Sequence, residues 1–65
     1  MKYLIDGEVV DTYGGDFTYM DVRYEIVDGK YTFYKKYYGA WSSDEEVVTD
    51  SREIDEYMRK LKSLL

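Results

Sequence analysis

No cysteine, no histidine and no proline occur among the 65 residues of the chain. Without cysteine there is no disulfide and no thiolate chemistry, and the composition says nothing about redox compartment. Without histidine the commonest metal ligand and the commonest general base are both missing. No apolar run approaches the roughly 20 residues of a helical membrane span. The start, Met1-Lys2-Tyr3-Leu4-Ile5-Asp6, becomes charged too soon for a signal peptide. A cytoplasmic protein with no membrane association is the expectation. Basic charge is also scarce: 9 Lys and Arg stand against 14 Asp and Glu, a net charge of −5. That balance argues against phosphate backbones as the main ligand.

What is present is tyrosine, 9 residues of the 65. This half-apolar side chain suits two-sided sheets and protein interfaces. The length fits one small domain, residues 1–65, near the lower limit for folding on a single core. With disulfides ruled out and metal disfavoured, a partner subunit is the staple that remains.

The clearest local signal is Val27-Asp28-Gly29-Lys30. A type I′ turn needs φ > 0 at both central residues, and Asp-Gly tolerates that. Pairing Val27 with Lys30 makes Phe17 to Tyr38 one long hairpin. One face then sets Ile26 on Tyr31, Tyr24 on Phe33, Val22 on Lys35 and Met20 on Tyr37. The other sets Glu25 on Thr32, Arg23 on Tyr34, Asp21 on Lys36 and Tyr19 on Tyr38. Ile5-Asp6-Gly7-Glu8 repeats the Asp-Gly signal and predicts a second, smaller hairpin over Met1 to Tyr13. Gly14-Gly15 joins the two, either as a two-residue turn that brings Val9 opposite Met20 or as a longer, bulged loop.

Ser42-Ser43-Asp44 reads as a turn, and Glu45 to Thr49 as a short edge strand or an extended connector. Asp50 or Ser51 caps a helix, with Glu53 in capping-box position after Asp50. Ile54, Tyr57, Met58, Leu61 and Leu65 recur at helical spacing and form one apolar stripe. Asp55/Arg59 and Glu56/Lys60 are favourable i,i+4 pairs. The fold class is therefore α+β: an antiparallel β-meander of three to five strands, with two Asp-Gly hairpins and one C-terminal α-helix packed on one face. That helix leaves Tyr3, Ile5, Val10, Phe17, Tyr19, Tyr34 and Tyr38 on the other face. An apolar patch of this size predicts a homodimer through Tyr19, Tyr34 and Tyr38.

Function is read by weighing constellations. The serines have no histidine to activate them, and the hairpins leave no deep cleft, so no catalytic residue is assigned and the protein is expected not to be an enzyme. Asp44, Glu45, Glu46 and Asp50 are oxygen donors, but not at calcium-loop spacing, so no metal or other cofactor is expected. Tyr34, Lys36 and Tyr38, with Arg23, resemble in composition a stacking platform for single strands. They form a thin basic set in an acidic domain; a small nucleic-acid-binding domain remains one alternative reading, and an oligomerising structural module is the other. The stretch from Asp44 to Glu56 holds seven acids and one base. Part of this charge dresses a helix start; the rest reads as a ridge that occupies a partner's basic groove by imitating phosphates. Trp41, Asp44, Glu45, Glu46 and Asp50 are its candidate contact residues.

Asp16-Phe17, Asp21-Val22, the Asp28-Gly29-Lys30 turn, the Tyr/Lys-rich strand, and Ser43-Asp44 with Glu46-Val47 before a helix together carry a resemblance. The chain is similar to the small uracil-DNA glycosylase inhibitors of Bacillus phages over about three quarters of its length, the first hairpin excluded. The resemblance implies an acidic, non-enzymatic, dimeric, phage- or mobile-element-encoded inhibitor that blocks a DNA-handling host enzyme by mimicking DNA. Aligned on Ser43-Asp44 and Glu46-Val47, that family's gripping aromatic falls on Glu45 and its second contact tyrosine on Thr49. Trp41 is the apolar anchor nearest to hand. The resemblance thus supports the strategy more than the named target.

Overall fold

The computed structural model describes residues 2–39 and 44–65. Its elements are β1 (Lys2–Tyr13), β2 (Asp16–Val27), β3 (Lys30–Gly39), β4 (Asp44–Val47) and α1 (Ser51–Leu64). The sheet is a four-stranded antiparallel meander in the order β1-β2-β3-β4, and the helix packs on part of one face, as the α+β reading expects.

The centre forms as its turn dictates. Asp28 and Gly29 take φ of 51° and 76°, the positive values that a type I′ turn demands. The ten pairs from Val27↔Lys30 to Thr18↔Gly39 then follow without a break. At its far end β3 passes so close to β2 that a Cβ on Gly39, whose φ is 135°, would collide with the Phe17 carbonyl oxygen.

The first hairpin expected about Asp6-Gly7 does not form. Residues 2–13 make one strand, turned at Gly14-Gly15 with Tyr13 paired to Asp16. The twelve residues of β1 lie opposite only nine of β2, Asp16 to Tyr24, so three are extra. One is Leu4, one falls in Asp6-Gly7 opposite Asp21, and one is Val10. The Val10 bulge brings Val9 opposite Tyr19, not Met20. The physical reason is tertiary. A hairpin of two short arms is marginal alone, whereas a long strand pairs along β2 and carries Leu4 into the core. Gly7, at φ 74°, serves as a bulge and not as a turn. Its N–H donates to the Asp21 carboxylate at 2.7 Å, so the turn signal is spent on a half-buried polar bond.

The core consists of Leu4, Val22, Phe33, Val48 and Leu61, with Ile5, Met20, Tyr24, Ile54, Tyr57 and Met58 packed around it. The helix stripe is the predicted one except for Leu65, which is exposed. Ile5 turns to this core and not to the opposite face, because the bulges shift its phase; Val9 takes its place there. Ile26 and Tyr31, expected under the helix, are exposed and line an open cleft of about 450 Å³ with Leu61 and Leu65. Val48 follows β4 into the core, and its N–H donates to the Phe33 carbonyl at 2.9 Å.

Length explains what stays bare. A helix of 14 residues spans about 21 Å, while the molecule is 42 Å long. The helix lies over Val22, Tyr24 and Phe33. Among the described residues, none packs over the half of the sheet toward Gly14-Gly15 on that face. Both sheet edges are blunted against chance pairing, β1 by its bulges and β4 by its four-residue length and charge.

Gly39→Ala should lower stability by about 2–4 kcal/mol, since both the backbone region and the clash with Phe17 oppose it. Gly14→Ala, with φ 58° and open space around it, should cost only about 1–2 kcal/mol. Urea midpoints at constant m separate the two; equal shifts would contradict the close approach of β3 to β2.

Candidate functional site

The acidic ridge is in place but not bare. β4 pairs with β3 so that Glu45 lies opposite Lys36 and Glu46 opposite Lys35. Glu45 forms an ion pair and hydrogen bond with Arg23 on the face away from the helix. Glu46 lies 3.9 Å from the Lys35 ammonium on the helix side. Neither carboxylate has a basic neighbour close in the sequence, yet the fold gives both a partner. Asp44 lies opposite Tyr37 and is exposed. Asp50 is the helix N-cap, its carboxylate accepting from the Arg52 N–H at 2.8 Å. Trp41, proposed as an apolar anchor, and Ser43, part of the resemblance, lie outside the described residues.

Lys35 is the charge centre of the helix side. Its ammonium donates to Glu53 at 2.7 Å and lies over the Tyr37 ring, 5.5 Å from its centroid. Glu53, expected to close a capping box on Asp50, instead turns to Lys35 and accepts from the Tyr57 hydroxyl at 3.4 Å. A half-buried ammonium outcompetes an amide that water reaches. The hydrogen bond to Glu53 holds the Lys35 pKa far above the lysine range, against the opposite pull of burial.

The helix-free face carries Tyr19, Tyr34 and Tyr38, all half-buried. Tyr19 and Tyr38 stack with centroids 5.6 Å apart. Tyr34 donates to Glu25 at 2.6 Å, and Tyr38 donates to Asp21 at 3.2 Å. Asp21, paired in register with Lys36, therefore spends its carboxylate on Gly7 and Tyr38, while Lys36 lies over the Tyr38 ring at 6.0 Å. Hydrogen bonding to Glu25 raises the Tyr34 pKa. Burial first, then the bond to Asp21, raises that of Tyr38, and burial raises that of Tyr57.

One group of residues escaped the sequence reading. From Tyr3 to Val22 there are five acids and no Lys or Arg. Register puts Glu8 opposite Met20, Asp11 opposite Thr18 and Asp16 opposite Tyr13, so three of these acids share one face. All three are exposed, and among the described residues no Lys or Arg forms an ion pair with them. The signal was the missing base; with Val9 expected opposite Met20, Glu8 falls opposite Asp21 on the other face, and the Val10 bulge brings it round. Among the described residues no group of three or more His, Cys, Asp or Glu has metal-holding geometry. No helix of the described residues is long and apolar enough to cross a membrane. Compared with known proteins, the chain matches no family model, no curated protein and no solved structure.

Lys35, Tyr34, Tyr38 and Tyr57 all hold their protons more tightly in the folded chain than in the unfolded one. Their contribution is complete below the unfolded values, about pH 10, and is lost as pH rises through the folded ones. The urea midpoint should stay level from about pH 7 to 9 and fall above about pH 10. Tyr34→Phe/Tyr38→Phe should make that fall shallower, and an unchanged alkaline slope would contradict the assigned hydrogen bonds.

Asp50→Ala should cost about 0.5–2 kcal/mol through loss of the cap. Asp50→Ser should recover most of it, because a hydroxyl also caps; failure of the rescue in a thermal melt would count against capping as the cause.

Proposed function

We propose that this is a non-catalytic interaction protein that occupies the basic surface of a nucleic-acid-handling protein partner, imitating the charge of DNA as an inhibitor. The observation that carries this reading is the imbalance left after internal pairing. Fourteen acids face nine bases, and the ion pairs among the described residues engage only Glu45, Glu46 and Glu53. The remaining negative charge is free to act at long range on a basic partner. Asp44, with Glu45 and Glu46 beside it, is the ridge's contribution; Asp50 adds charge while it caps. The resemblance to the glycosylase inhibitors points the same way, toward a phage- or mobile-element-encoded protein acting in the cytoplasm.

Direct nucleic-acid binding is less favoured. Arg23 is held by Glu45 and Lys36 lies over Tyr38, so the basic set that would meet phosphates is already engaged. A homodimer through Tyr19, Tyr34 and Tyr38 is a second reading, favoured by the stacked, half-buried tyrosines on a face that no helix covers.

The test compares three baits in host lysate, with mass spectrometry of what each retains: the native chain, Asp44→Asn/Glu45→Gln/Glu46→Gln, and Tyr34→Ala/Tyr38→Ala. The expected partner is a nucleic-acid-handling protein released by salt and by added DNA. The amide variant should slow its association by roughly tenfold at low salt. Losing two exposed ion pairs should cost that variant no more than about 1 kcal/mol of stability per pair. If the amide variant binds normally and the tyrosine variant fails, mimicry is wrong and an oligomeric assembly module replaces it.

A further inference from the structure

The helix, about 21 Å long against a molecular length of 42 Å, leaves part of that face with no described residue over it, and this part has a composition of its own. Register places Glu8, Asp11 and Asp16 there from β1 and the start of β2, with Asp44 from β4 across Tyr37. Met20 and Tyr37 pair directly at the centre of this acidic frame, both half-buried, Met20 with one side against the core and the remainder of its surface open on this face. The nearest cation, Lys35, is committed to Glu53, Glu46 and the Tyr37 ring. An apolar centre within a one-signed rim is the layout of a docking surface, with the apolar part supplying contact and the rim selecting the partner.

We infer that this bare helix-side face docks a protein surface rich in lysine or arginine that presents an apolar side chain to Met20 and Tyr37. The inference rests on the interaction-protein reading above and moves its centre from the ridge to the β1–β2 arm, with Asp44 the point where the two meet. Charge decides the occupant. A second copy would set four carboxylates against the same four, and like charges directly apposed are unfavourable. Nucleic acid and anionic lipid have the wrong sign. The partner meets the face and not the β1 edge, because the three extra residues of β1 break the ladder that an added strand would need.

The test is amide-resolved NMR titration at low salt with a synthetic peptide of alternating lysine and leucine, and with oligolysine of equal charge. The alternating peptide should shift residues 8–20, Tyr37 and Asp44, and bind several-fold more tightly than oligolysine. Glu8→Gln/Asp11→Asn/Asp16→Asn should weaken it by about tenfold or more, while Glu45→Gln/Glu46→Gln changes it by less than about twofold. Urea midpoints of both variants show that the fold is intact. Shifts confined to residues 45–50, with the arm variant binding normally, would overturn this inference and leave the interaction reading standing. Absence of binding by either cationic probe would overturn both. Equal affinity for the two probes would overturn the apolar centre.

Discussion

Everything in this structure hangs on the turn at Asp28-Gly29. Two residues with positive φ fix the register of β2 on β3, and because strand side chains alternate, they also decide which face each later contact occupies. Val22 and Phe33 become core through that register, and Tyr34 reaches Glu25 through it. It also holds Lys35 on the helix side, where Glu53 arrives from α1 and Glu46 from β4. A single ammonium thus ties the helix, the central strand and an edge strand together. A slip of one residue would send Lys35 to the other face and strand both carboxylates.

The parts that were legible in the sequence are those with local causes. The β2–β3 pairs follow from one turn, and the helix follows from its cap and stripe, so both could be written down from residues alone. What failed had non-local causes. The Asp6-Gly7 pair carries the same signal as Asp28-Gly29, yet it lies where β2 offers a longer partner and where Asp21 needs a donor. Arg23 and Glu45 meet only because β4 returns beside β3, and no local pattern announces that. Glu53 was rightly placed on the helix, but its partner came from a strand 18 residues away.

The candidate surface was half legible for the same reason. Composition gave the excess of acid and the absence of any site for general-base chemistry by histidine. It did not give geography. The ridge drew attention because its acids are consecutive, yet consecutive strand residues fall on alternate faces and here find alternate partners in Arg23 and Lys35. Acids spaced along two paired strands look sparse in the sequence and gather on one face in the fold.

The extra residues of β1 give that strand spare length. Val10 has no partner opposite it, so removing it leaves Asp11 to Tyr13 and Lys2 to Val9 facing the residues they face now. Removing one residue from the middle of β2 would invert the side chains beyond it against two neighbours at once. Insertions and deletions in this chain are thus unequal in effect. The first strand can change length by a residue under a stable sheet, and the acids it carries can be re-spaced without rebuilding the core.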